Sequence, residues 1–162
     1  MSVTVRPAKS TDTPNIAEFN LRLASESENR SLDEDRVAAG VAALFESVER
    51  GQYFVAEVDG VVVGQLLITY EWSDWRNGMF WWIQSVYVIE KYRRAGLFSS
   101  LYKTVLELAK QDPLVCGLRL YVEQENNRAR DIYLSRGMSM TDYEVMEIDF
   151  THSWIPKGKG LK

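Results

Sequence analysis

Apolar residues along this chain change period several times, and each change marks an element. Residues 3 to 6 alternate as a strand. Ile16, Phe19 and Leu23 then fall at helical spacing, behind Asp12 and Thr13 as caps and Pro14 at the helix start. Ser31 and Glu34 have capping-box spacing ahead of a second stripe, Val37, Val41, Leu44, Phe45 and Val48, which Gly51 closes. Residues 53–58 and 61–70 are strand-like, joined by the hairpin pair Asp59-Gly60. Residues 71–78, Glu-Trp-Ser-Asp-Trp-Arg-Asn-Gly, read as the next turn, and 79–89 as a long strand. Leu97, Leu101, Val105 and Leu108 share one face of a third helix. A strand from Leu118 leads to a short helix capped by Asn126 and ended by Gly137, and 138–149 is expected to add a final strand pair. The predicted order is β-α-α-β-β-β-α-β-α-β-β, an α/β domain over 1–150. Residues 151–162, with Pro156, two glycines and three lysines, are expected to form a loose tail.

One junction carries chemistry. Residues 92–99 read Tyr-Arg-Arg-Ala-Gly-Leu-Phe-Ser between a strand and a helix. The first turn of a helix has unpaired amides and the positive end of the helix dipole, so it binds anions. Gly96 permits close approach to the backbone, and Arg93 and Arg94 add charge. A second segment follows, with Asn126, Ala129, Tyr133, Gly137 and Met138 at fixed intervals.

Together, in this order, the two segments resemble the GNAT acetyltransferase superfamily. Its cofactor loop reads Arg/Gln-x-x-Gly-x-Gly/Ala, here Arg93 to Phe98, and its later motif reads Asn-x-x-Ala-x-x-x-Tyr-x-x-x-Gly-Phe. The resemblance spans residues 2–150 and implies a single domain with a mixed, mostly antiparallel sheet of about seven strands and helices on both faces. It implies acetyl-coenzyme A as cofactor, with Arg93, Arg94, Ala95, Gly96, Leu97, Phe98 and Ser99 cradling its pyrophosphate. Val86, Tyr87 and Val88 would hold the pantetheine arm on a strand that splays at a bulge. Asn126 would cap its helix and contact the cofactor, and Tyr133 would protonate the leaving thiolate, the transfer being roughly balanced for a phenol with a pKa of ~10. Phe98 departs from the pattern, and its side chain must turn away from the phosphate into the core.

The N-terminal half resembles the polyamine and thialysine branch of that family. This implies a primary-amine acceptor met by Glu26, Glu28, Glu71, Trp72 and Trp82, the tryptophans of residues 72–82 either packing or boxing a cation. The branch's strand acid aligns with Gln84, whose amide cannot accept a proton usefully. Two alternatives stay open for the base: a water held by Gln84, or another carboxylate, Glu71 and Glu28 first. The implied activity is direct acetyl transfer to a small amine such as a polyamine or amino acid. Acetylation of a protein lysine or N-terminus, and a non-catalytic acyl-CoA-binding module, are the alternatives. Dimerisation through late strands occurs in the family, so a homodimer is a further implied partner.

Composition narrows the setting. The 162 residues, 46% apolar and 26% charged, suit one globular domain, and the net charge of −4 argues against nucleic acid or an anionic membrane as partner. No leader-like start and no long apolar run appear, so a cytoplasmic protein is expected. Cys116 alone excludes an internal disulfide and is expected to be a buried structural thiol. His152 alone cannot build a histidine-rich metal site, and no metal is expected.

Overall fold

The computed structural model describes residues 1–151, so the expected tail lies, beyond Thr151, outside the described residues. Five strands follow one another in sequence order across a single sheet. β1 (Val3–Pro7), β2 (Gln52–Val58), β3 (Val61–Ser73) and β4 (Gly78–Val88) are antiparallel neighbours, and β5 (Val115–Leu120) adds parallel to β4. A parallel addition needs a crossover, which α3 (Leu97–Gln111) supplies. α1 (Thr13–Glu28) and α2 (Glu34–Leu44) precede β2, and α4 (Asn127–Ser135) follows β5.

Strand alternation divides the core in two. Phe54, Ala56, Leu66, Ile68, Ile83 and Val88 meet Leu97, Leu101, Tyr102 and Val105 of α3 on one face. Tyr53, Val55 and Leu67 meet Ile16, Ala17 and Val41 of α1 and α2 on the other. The expected mixed sheet with helices on both faces is therefore present, with four α-helices among the described residues.

Among the described residues five strands stand in place of the expected seven or so. Residues 138–149 join no ladder of the sheet, although Met140, Tyr143, Val145, Met146 and Ile148 carry the apolar alternation that predicted strands. Alternation reports that a segment has a face to bury, not that its own chain supplies the neighbouring strand.

Smaller corrections have local causes. Asp33, not Ser31, caps α2, its carboxylate accepting from the Arg36 amide at 3.0 Å. α2 stops at Leu44, leaving Val48 87% exposed. On α3 the buried stripe runs through Tyr102 and Ala109 rather than Leu108. The β3–β4 ladder continues to the pair Ser73 and Gly78, so Glu71 and Trp72 lie on a strand and the turn is shorter than expected. Cys116 is exposed, because β5 is the last strand of the sheet.

Arg6 ties the first elements together. Its guanidinium bonds both oxygens of Asp12 at 2.8 and 3.1 Å and Glu57 at 2.8 Å. Asp12 is buried, yet the Arg6 hydrogen bonds hold its carboxyl below the usual range against the opposing effect of burial. A carboxylate with a depressed folded-state pKa stabilises the fold above its unfolded pKa and loses that contribution as pH falls through the folded value. Asp12→Asn should therefore cost roughly 1.5–3 kcal/mol at neutral pH. Denaturant unfolding of parent and variant should converge as pH drops below ~4.

Candidate active site

β4 contains one residue too many for its neighbour. Gln65 pairs with Tyr87 and Leu67 with Gln84, so two steps along β3 match three along β4. The extra residue shows in Ser85, at φ +51°. On its other side β4 is paired with β5 only as far as Ile83 and Leu120. From Gln84 to Val88 the strand consequently has no ladder partner on the β5 side, and those of its backbone groups that no side chain bonds are open to a ligand that runs alongside as another strand would.

A buried amide fixes this bulge. Gln65 is 0% exposed, and its Nε2 donates to the Ser85 carbonyl at 3.0 Å and to Asn20 Oδ1 of α1 at 2.8 Å. Asn20 in turn donates to the Tyr53 hydroxyl at 3.3 Å. The Gln65 Oε1 has no protein partner. Neither Gln65 nor Ser85 was singled out from the sequence. The available signal was a lone glutamine inside the apolar run 61–70.

Beyond Val88 the chain turns through Glu90–Tyr92 and enters α3. Arg94 and Gly96 take left-handed conformations, φ +72° and +81°. A Cβ at Gly96 would meet nothing within 4 Å, so the space over the turn is open. The amides of Leu97, Phe98 and Ser99 begin the helix, where no earlier helical carbonyl reaches them. Arg94 is exposed beside them. Arg93 instead folds back: its Nε donates to the Val88 carbonyl at 2.8 Å, its Nη2 lies 3.4 Å from Glu26, and its guanidinium sits 5.4 Å from the Tyr87 ring centroid. It braces the end of β4 against α1.

On the α3 face, Tyr133 of α4 lies among Phe98, with centroids 5.7 Å apart and rings nearly perpendicular, and Tyr102 at 6.4 Å. Phe98 also packs on Tyr102 at 6.0 Å. Arg136 stacks over Phe98 and Tyr102 and donates to Ser99 Oγ at 2.5 Å. Burial pushes the Tyr133 phenol up to about 12, with Tyr102 adding to the rise and Arg136 opposing it. Asn126 caps α4 by accepting from the Ala129 amide at 3.1 Å.

The opposite face carries the remaining candidates. Gln84 Nε2 donates to Thr69 Oγ1 at 2.5 Å. On the same face Glu71 Oε1 accepts from Trp82 Nε1 at 3.1 Å and from Arg119 at 2.8 Å. Arg119 lies 3.7 Å over the Phe80 ring, and Trp82 stacks on Tyr121 at 4.5 Å. Trp72, one residue beyond Glu71 on β3, leaves the sheet on the other side, so Trp72 and Trp82 are not brought together. Trp75 is exposed in the turn and Trp81 packs on Tyr70. Glu26 and Glu28, at the end of α1, are paired with Arg93 and Arg30 at 3.4 Å. A cleft of about 710 Å³ lies there, lined by Arg22, Ser25, Glu26, Tyr87, Ile89 and Lys91 among others. Burial first, and Glu26 second, push the Tyr87 phenol upward. Among the described residues no cluster of three or more His, Cys, Asp or Glu is placed to hold a metal, and no helix is long and apolar enough to cross a membrane.

The arrangement has counterparts. The chain is 43% identical to a possible acetyltransferase from Clostridium difficile 630, with 94% of this chain and all of that one superposed at a TM-score of 0.87. A predicted acetyltransferase from Clostridium acetobutylicum, solved with acetyl-CoA, shares the fold at 15% identity and a TM-score of 0.74, covering 93% of this chain and 97% of that one. A thialysine N-epsilon-acetyltransferase of Bos taurus is 32% identical over 101 residues, which take in 62% of this chain and 56% of that protein. The chain thus spans little more than half of that curated relative. A family model covers residues 16–138, from the first buried residue of α1 to the residue after Gly137. With the β4 bulge, the Gly96 turn and α4 inside that span, the chain belongs to the acetyltransferase (GNAT) family.

Proposed function

We propose that the protein is an N-acetyltransferase that moves the acetyl group of acetyl-coenzyme A directly to the primary amine of a small metabolite, such as a polyamine or an amino acid. The observation that carries this reading is that one strand serves both faces of the sheet. The unpaired stretch of β4 runs toward the open Gly96 turn, Tyr133 packs against the core on the α3 face to which Val88 belongs, and Gln84 of the same strand faces the Glu71 side.

The residues present fit the cofactor. The amides of Leu97 to Ser99 and the charge of Arg94 suit a pyrophosphate, and the β4 backbone from Gln84 to Val88 suits the amides of a pantetheine arm. When bound, the cofactor supplies an acetyl thioester, whose carbon–sulfur bond is exchanged for a carbon–nitrogen bond. Tyr133 stays protonated at every physiological pH and offers a hydrogen to the thiolate that leaves. Because its phenol is pushed to about 12, it acts chiefly by stabilising the thiolate through a hydrogen bond. Glu71, with Gln84 and Thr69 on its face of the sheet, draws the ammonium and takes its proton through water. Glu26 and Glu28 add negative charge at the mouth. The cleft beside them has the volume of a small-molecule site, and the thialysine-acetylating relative supports a small amine. Cys116 lies against Gly78, at the far end of β4 from the bulge, which supports transfer without an acyl-cysteine.

The amide at Gln84 favours one second reading, a module that binds acyl-coenzyme A without turnover. Thiol release with a panel of amines separates the two: release supports the enzyme, and tight binding without release supports the module.

Four outcomes are expected. Acetyl-coenzyme A at about 100 times its Kd should stabilise the fold by about 2.7 kcal/mol in thermal melts, and Gly96→Asp should remove this by placing negative charge in the turn. Gln65→Leu should leave the free protein near parental stability but weaken cofactor binding about tenfold by calorimetry, the worth of one hydrogen bond at the bulge. Tyr133→Phe should keep cofactor affinity while cutting turnover about 10²-fold. In the parent, rate should rise with pH as the amine loses its proton, with no descending limb from Tyr133 until the phenol itself ionises near pH 12.

A further inference from the structure

The half of the β3–β4 hairpin nearest its turn leans on β5, and there a second cluster is organised around one arginine. Phe80 pairs with Gly117 and Trp82 with Arg119 in the parallel β4–β5 ladder. A Cβ at Gly117 would stand 2.8 Å from Phe80 Cε1, so the absence of a side chain there is what makes room for the ring. Phe80 is buried, and the Arg119 guanidinium lies over it, 3.7 Å from the ring centroid. Stacking on an aromatic face fixes the plane of a guanidinium and leaves its N–H groups to donate along that plane. One of them, Nη1, donates to Glu71 Oε1 at 2.8 Å.

The Glu71 carboxylate is held at one oxygen. Trp82 Nε1 donates to the same Oε1 at 3.1 Å, and the Trp82 ring is itself steadied by Tyr121, 4.5 Å away. Oε2 takes no hydrogen bond among the described residues. Two donors on one oxygen, one from β4 and one from β5, fix the orientation of the group and so fix which oxygen stays available. The Glu71 side chain is 46% exposed and the Arg119 side chain that holds it only 23%. An ion pair as open as this adds little to stability. Its effect falls on where Glu71 points.

We propose that Arg119 is a positioning residue for amine acetylation, a role that rests on the function proposed above. With Trp82 it holds Glu71 by Oε1, so that Oε2 meets the acceptor's ammonium and the water that relays its proton. The proton passes from nitrogen through that water to Oε2 and then to solvent, and the lone pair left behind attacks the thioester carbon. Two effects of Arg119 oppose each other. Its charge repels the ammonium that Glu71 attracts, while its grip keeps Glu71 aimed at the reacting nitrogen. Loss of a merely structural ion pair would raise KM. Loss of Arg119 as a positioning residue lowers kcat, because the carboxylate wanders, and lowers KM as well, because a repelling charge is gone.

Arg119→Met, Glu71→Ala and the double variant test this in the full-length protein, with Arg119→Leu as a second variant of the same kind. Met keeps an apolar stem over Phe80, so circular dichroism and stabilisation by acetyl-coenzyme A should stay parental. The first readout is nuclear magnetic resonance of the free, nitrogen-labelled protein, without cofactor or amine. The Trp82 indole N–H signal, identified by its loss in Trp82→Phe, should move in Arg119→Met toward its position in Glu71→Ala. The second readout is kinetic, with the amine of the panel that the parent acetylates fastest. Arg119→Met should cut kcat about tenfold or more and lower KM about threefold. In the Glu71→Ala background the same substitution should change kcat less than about twofold. An indole signal that stays at its parental position, a kcat near the parental value, a raised KM, or an equal loss of kcat with and without Glu71 would each overturn the proposal. A parent that releases no thiol with any amine of the panel overturns it together with the function it rests on. A parent that turns over but fails one of the other arms overturns the role of Arg119 alone.

Discussion

One surplus residue in β4 sets the geometry on which the rest of the site depends. A strand in register with both neighbours spends all its backbone hydrogen bonds inside the sheet. β4 cannot do this past Ile83: the bulge at Ser85 shifts its register against β3, and β5 ends alongside Leu120. A row of amides and carbonyls is left for a ligand, at the point where the chain is about to turn into the positive end of α3. Strand, turn and helix thus form one continuous polar track. Gln65 keeps the track in place by bonding the Ser85 carbonyl and linking it to α1 through Asn20. Its orphaned Oε1 is the cost of placing an amide in an apolar layer.

In the proposed transfer the two faces of the same sheet divide the chemistry. On the α3 side aromatic rings exclude water, which raises the Tyr133 phenol and keeps it a hydrogen donor. On the α1 side the carboxylates are each held by a cation: Glu71 by Arg119, Glu26 by Arg93, Glu28 by Arg30. A paired carboxylate attracts an incoming ammonium less than a bare one. In the proposed transfer this places weight on water for the last proton transfer, as the amide of Gln84 does independently.

The parts of this arrangement that depend on local conformation were legible in the sequence. Gly96 announces a left-handed turn before a helix, Asn126 announces a cap, and the helical stripes locate both halves of the core. What depended on a third dimension was less so. Arg93 read as a phosphate ligand, and its side chain also bonds the Val88 carbonyl, which nothing in its spacing tells. Trp72 and Trp82 looked like one cluster and lie on opposite faces, because their separation across a hairpin depends on register. Gln65 showed only as one polar letter in an apolar run, with nothing to say that it bonds the bulge. The late alternation after Gly137 was read correctly as apolar and wrongly as paired, since pattern specifies a face and not its partner.

The central claim is that the cofactor lies along the open stretch of β4 and into the turn before α3. Amide chemical shifts followed by nuclear magnetic resonance as coenzyme A is added to the labelled protein test it most directly. The largest changes should fall between Gln84 and Val88 and at Leu97, Phe98 and Ser99, with the β1–β2 ladder unmoved. Saturable binding that leaves those amides unchanged and shifts others would contradict it.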